Sequence, residues 1–207
     1  MPTHARPVRR FVIFMLLAGL GWAGGPATAE PSATQPADQP ASQLSGQPVE
    51  LLGLRSAVPP GWVAEAPQSG MRLAQFRVPA DGGGEGAEMV VYYFGPSQGG
   101  TLEANLDRWK SQFSGPDGGP VEPEITELKG ALPATLVALR GNYARGVGMG
   151  PAGEALPDRM LLAAIVETPE GNIYPQLHGP AAVVAQARAG FVAFIEGLAP
   201  VQSASGD

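Results

Sequence analysis

Glu88-Met89-Val90-Val91-Tyr92-Tyr93-Phe94 carries no charged or amide side chain after its first residue. Successive side chains of a strand point to opposite faces, so such a run is apolar on both faces. Valine and the aromatic residues favour a pleated backbone, and the run is too short for an ordinary helix. Glycine-rich stretches, Asp81 to Gly86 and Gly95 to Gly100, bound it on either side. Met160-Leu161-Leu162-Ala163-Ala164-Ile165-Val166 repeats the pattern. Two such strands predict a sheet with a layer packed on each face.

Working outward, Leu51 to Val58 reads as one strand, and Pro59-Pro60-Gly61 as a turn that delivers Trp62. Met71 to Val78 is a strand whose apolar residues shift from odd to even positions, which predicts a bulge near Ala74-Gln75. The strand at Glu88 to Phe94 leads by the Gly95 to Gly100 loop into a helix, Leu102 to Phe113, capped by Thr101. Leu102, Leu106, Trp109 and Phe113 form its apolar stripe. Strands follow at Ile125 to Lys129 and Ala134 to Tyr143, then a glycine-rich connection, Ala144 to Pro157. Arg159 to Thr168 and Ile173 to Leu177 form a hairpin about Pro169-Glu170-Gly171-Asn172. Pro180 opens a last helix, with Val184, Ala187, Phe191, Phe194, Ile195 and Leu198 facing one way. The expected fold is α+β: an antiparallel sheet of about six or seven strands with a central and a C-terminal helix. The helices sit on opposite faces, or both on one face with the other left open to a partner.

Ahead of this domain lie two segments of different composition. Residues 1–29 have the form of a signal peptide: Arg6, Arg9 and Arg10, an apolar run from Phe11, then Ala27-Thr28-Ala29. The apolar stretch to Ala23 is shorter than the roughly 20 residues that span a bilayer, so cleavage before Glu30 is expected rather than a retained anchor. Residues 30–47, rich in Pro, Ala, Ser and Gln, read as a disordered linker. The globular domain is expected over 48–200, with a disordered tail at 201–207. The protein is therefore expected to be exported, to the periplasm or beyond, with no stable membrane anchor after cleavage.

Without the three leader arginines, 10 basic residues remain against 19 acidic ones, a net charge of −9 (10 − 19). A chain this acidic, its cations dispersed, lacks the footprint of a nucleic-acid binder. It has no cysteine, which excludes disulfides, thiolate metal sites and thiol nucleophiles. A single histidine outside the leader, His178, gives no basis for a zinc site. No metal and no cofactor are expected.

The order of elements, with the Pro60-Gly61-Trp62 turn, resembles the PsbP/Mog1-like fold. Val91-Tyr92-Tyr93-Phe94-Gly95, Gln98-Gly99-Gly100, Glu103-Ala104-Asn105-Leu106-Asp107-Arg108-Trp109, Val166-Glu167-Thr168-Pro169-Glu170-Gly171 and His178-Gly179-Pro180 resemble an uncharacterised family of small exported bacterial proteins. The resemblance covers about Leu51 to Leu198 and implies an α/β/α sandwich. Its motifs sit at turns and core positions and imply no chemistry. PsbP relatives assist photosystem assembly and Mog1 binds a small GTPase, and neither role comes with the motifs quoted.

Candidate sites are sparse. Gly95 to Thr101 fits GxxxxG followed by Thr but lacks the lysine of a phosphate-binding loop. It reads as a capped turn into the helix, with Gly99, Gly100 and Thr101 as an anion-site candidate on the helix N–H groups. Gly148 to Gly153 satisfies GxGxxG, but a strand follows it rather than a helix. His178 has no serine or aspartate in a nucleophile-elbow pattern. Asp81, Glu85 and Glu88, and separately Glu122, Glu124 and Glu127, read as solvated charges at strand edges. Tyr92, Asn105, Arg108, Asn142, Tyr143 and His178 are the candidates for ligand or partner contact, with Asn105 and Arg108 on the helix flank. The reading is a non-catalytic exported accessory or binding protein, its partner an unknown protein or small ligand of the cell envelope. The alternatives are a periplasmic small-molecule carrier with its ligand between the terminal helix and the sheet, and a carboxylate-dependent hydrolase.

Overall fold

In a computed structural model, residues 46–144 and 154–201 are described. The leader, residues 30–45 of the linker, the GxGxxG stretch at 145–153 and the tail from 202 lie outside them. Within the described residues the chain begins with a hairpin of β1 (Gln47–Leu51) and β2 (Leu54–Val58). The single strand expected from Leu51 to Val58 is thus two strands. Leu52 and Gly53, at φ 50° and 72°, turn the chain between them. A two-residue loop with both φ values positive matches the twist of the flanking strands, but leucine seldom adopts it.

β3 (Val63–Glu65), β4 (Arg72–Val78) and β5 (Ala87–Tyr93) form an antiparallel meander. The bulge falls between Arg72 and Ala74, next to the expected position. α1 (Leu102–Lys110) starts at Thr101, whose hydroxyl accepts the Ala104 N–H at 3.3 Å. It stops at Lys110 and does not reach Phe113, which lies instead in β6 (Phe113–Ser114). β7 (Glu124–Leu128), β8 (Ala134–Tyr143), β9 (Leu156–Val166), β10 (Ile173–Pro180), α2 (Ala181–Glu196) and β11 (Ala199–Pro200) complete the chain.

The main sheet runs β3-β4-β5-β10-β9-β8-β6, with β7 also paired to β8, and the pairs are antiparallel. Its strand count exceeds the expectation because β3 and β6 are too short to show an apolar period. A second sheet, β1-β2-β11, joins the core beneath α2.

Alternation along the strands assigns the layers. Leu136 and Ala138 of β8 and Leu162, Ala164 and Val166 of β9 pack with Val184, Phe191, Phe194 and Ile195 of α2. Val137, Leu139, Leu161, Ala163 and Ile165, one residue out of phase, pack with Trp109 of α1. Odd and even positions point to opposite faces, so α1 and α2 lie on opposite sides of one sheet. This is the α+β arrangement expected from the two doubly apolar strands. The Ser56 hydroxyl donates to the Phe194 carbonyl at 2.6 Å, fastening the small sheet to α2.

Candidate functional site

Strand register places a set of polar side chains on the α1 face, toward the β3 edge. One cross-strand row reads Val63, Arg77, Glu88, His178, Leu161, Leu139. The next reads Glu65, Gln75, Val90, Gln176, Ala163, Val137. A third carries Arg72, Tyr92 and Tyr174. The polar and charged members of these rows lie on β3, β4, β5 and β10, apart from Val63 and the buried Val90, and the first two rows are apolar over β9 and β8, where Trp109 of α1 covers them.

The polar half is held together by charge-assisted bonds. Arg72 donates to Gln75 Oε1 at 2.8 Å and to Glu88 at 3.1 Å. Gln75 donates to Glu65 at 3.2 Å, and Arg77 pairs with the same carboxylate at 3.3 Å. Arg159, at the start of the apolar run of β9, donates to Glu85 of the glycine-rich hairpin at 2.7 Å. Gln75 is 2% exposed and Arg159 7%, so an amide and a guanidinium are withdrawn from water. Glu65, Arg77, Glu85, Glu88, Arg159 and His178 line a cleft of about 290 Å³ here. Among the described residues no three His, Cys, Asp or Glu side chains are grouped as metal ligands would be.

The six residues singled out in the sequence fall in different places. Tyr143 and His178 meet, ring centroids 4.2 Å apart, with Phe113 at 6.4 Å from the imidazole. Tyr92 lies on the same sheet face, its ring parallel to Phe94 and under the Arg72 guanidinium at 5.6 Å. Asn142 donates to the Gly115 carbonyl at 3.2 Å and so fixes the loop after β6. Asn105 is not on the helix flank. It is fully buried and donates to the carbonyls of Gly99 at 2.8 Å and Thr101 at 2.9 Å. Arg108 donates to Asn105 Oδ1 and lies 5.9 Å from the Trp109 ring centre. Asn105 is thereby an internal brace for the Gly95 to Gly100 loop. Tyr174 completes that brace: its hydroxyl donates to the Gln98 carbonyl at 3.1 Å, and any side chain at Gly99 would overlap its ring.

The anion candidate at Gly99, Gly100 and Thr101 has an acidic group in place. The Glu103 backbone N–H, and then the Thr101 hydroxyl, hold the Glu103 carboxyl below the usual carboxylate range. A helix N-terminus favours a carboxylate, and the chain's own residue supplies it.

Of the acidic groups, Glu85 and Glu88 share the cleft, while Asp81 is bonded by Gln186 of α2. Glu122 pairs with Lys110 and Glu124 with Arg188. Glu65, Arg72, Gln75, Arg77 and Arg159 are not singled out by any motif in the sequence. Part of their signal was present, since Gln75 and Arg77 alternate with the buried Phe76 and Val78.

Among solved structures, the chain is similar to cyanobacterial PsbP from Synechocystis sp. PCC 6803. Identity is 15%, over 78% of this chain and 96% of that one, with a TM-score of 0.47. It is also similar to PA94 of Pseudomonas aeruginosa, a protein of unknown function, at 18% identity over 75% and 97% of the two chains and a TM-score of 0.44. No family model matches the chain, and no curated protein does.

Proposed function

We propose that this chain is a non-catalytic, exported binding domain that engages its partner or ligand through the charged half of the α1 face. The observation that supports this is the withdrawal of Gln75 and Arg159 from water inside a network of paired charges. A face that is merely solvated keeps such groups in water. Burying a paired guanidinium is roughly neutral or unfavourable for stability compared with apolar packing, so its presence calls for another role. The aromatic ladder of Tyr92, Phe94 and Tyr174 borders the same surface. The face beneath α2 is a poorer candidate for a carrier pocket, because Val184, Phe191, Phe194 and Leu198 fill it.

The test is capture from the envelope fraction with wild type and two charge reversals. Arg77→Glu alters the proposed face, and Arg55→Glu, in β2 of the small sheet, serves as the control; both arginines are more than half exposed. The proposal expects Arg77→Glu to lose a captured species that Arg55→Glu keeps. Identical capture by all three proteins overturns it. Export has its own check, the N-terminal residue of the protein recovered from cells, expected to be Glu30.

A further inference from the structure

The Arg159 pair has an unusual division of exposure. The guanidinium side chain is 9% exposed, whereas its partner Glu85 is 64% exposed. Glu85 sits at the end of a hairpin whose residues Gly82, Gly83 and Gly84 all have positive φ, a conformation open to glycine at little cost. The fixed member of the pair is therefore the cation at the end of the cleft, and the carboxylate reaches it from the solvent side.

Competition for these two groups discriminates among small ligands. A simple anion that takes Arg159 leaves Glu85 without its cation, beside a like charge. A simple cation that takes Glu85 leaves a buried guanidinium unpaired, which is strongly unfavourable. A molecule with both charges exchanges one ion pair for two: its carboxylate takes Arg159 and its ammonium takes the released Glu85. Glu65 and Glu88 are already engaged by Arg77, Gln75 and Arg72 and need not move. The volume, about 290 Å³, lies at the bottom of the range for small-molecule sites and suits a compact ligand.

We infer that the cleft lined by Arg159 and Glu85 is a site for a small zwitterion with the chemistry of an amino acid or dipeptide, which binds by parting that pair. This rests on the binding reading above and names its ligand. The test is titration of the isotope-labelled exported protein with L-alanine, alanyl-alanine, sodium acetate and ethylamine, followed by NMR. Saturable shifts of the Arg159 side-chain N–H and the Gly86 amide are expected with at least one zwitterion, at a Kd about tenfold or more below those of acetate and ethylamine. L-Alanine and alanyl-alanine separate a free amino acid from a peptide. Glu85→Gln keeps the shape of an exposed side chain and removes its charge. It should strengthen acetate by about tenfold, since acetate no longer displaces an ion pair, while zwitterion affinity stays within about threefold of wild type, so the preference for zwitterions collapses. Three results overturn the assignment: no saturable shift up to about 10 mM, a range that already covers weak sites; acetate equal to the zwitterions in wild type; or Glu85→Gln keeping the wild-type preference for zwitterions over acetate. If Arg77→Glu still abolishes capture in that event, only the zwitterion assignment falls and the binding face stands.

Discussion

The two faces of the main sheet differ in how they are closed. Under α2 the closure is apolar throughout, from Phe76 and Met89 to Leu162 and Phe194. Under α1 it is apolar over β6, β8, β9 and Tyr174, and toward the β3 edge arginine, glutamate and glutamine side chains surround the buried Val90. The helices of the two layers also differ in length. α2 has 16 residues, about 24 Å, and the small sheet extends its layer. α1 has nine residues, about 13 Å, against a sheet roughly 29 Å across its seven-strand path. A short helix leaves strands uncovered, and those strands carry polar residues on that face alone. The comparison shows that the open half is encoded by strand residues as well as by the helix that fails to cover it.

The largest effect expected is on the closed face. Phe191→Ala should lower unfolding free energy by about 3–5 kcal/mol, measured by urea denaturation. Phe191 is fully buried against both sheets, so little collapse can offset the cavity. A cost below that of an exposed substitution would show that the α2 face is not the stabilising one.

On the α1 face the polar brace is tested at Asn105. Asn105→Ala removes the side-chain donor from the Gly99 carbonyl, while the Thr101 carbonyl keeps the backbone N–H of residue 105 at 3.1 Å, at a cost of about 1–3 kcal/mol. Amides of residues 95–101 should then exchange faster with solvent than those of β8. Thr101→Ala, which removes the cap and the hydroxyl beside Glu103, should cost about 1 kcal/mol. Equal exchange in Asn105→Ala and wild type would mean that Tyr174 and the Gln98–Gly95 turn hold the loop without Asn105.

What the sequence disclosed follows the same division. The α2 face was legible, because period-2 strands and a 3.6-period helix meet in one apolar core. So was the Thr101 cap, a local signal. Asn105 was misread because its identity is polar, although its spacing from Leu102 and Trp109 places it on the buried face. Phe113 continues the helical stripe by spacing, yet it reaches the same core from β6 by pairing with Tyr143. The Leu52-Gly53 turn was hidden because leucine does not advertise positive φ. The cleft was the least legible feature: Glu65, Arg77, Glu88 and Arg159 come from four strands, and only register brings them together.

Acid should probe the α2 side. The Arg188 side chain, first by hydrogen bonding and then by charge, holds the Glu124 carboxyl below its ordinary value. A carboxyl whose folded value is lowered adds stability above its unfolded value of 4.5 and loses it as pH falls through the folded one. Glu124→Gln should therefore lose less stability than wild type between about pH 6 and about pH 3, seen as a smaller fall in urea midpoint. The difference will be small because the pair is exposed.

The smallest change in stability is expected where the change in binding should be greatest. Arg77→Ala removes a half-exposed partner of Glu65, and an exposed ion pair contributes about 0–1 kcal/mol. Gln75 still holds Glu65, so the carboxylate keeps a donor. A thermal midpoint close to wild type together with lost capture of the envelope partner would separate the two roles of the sheet: one face stabilises and the other recognises. A destabilisation as large as that of Asn105→Ala, with capture intact, would make the charged half a structural lattice and return recognition to another surface.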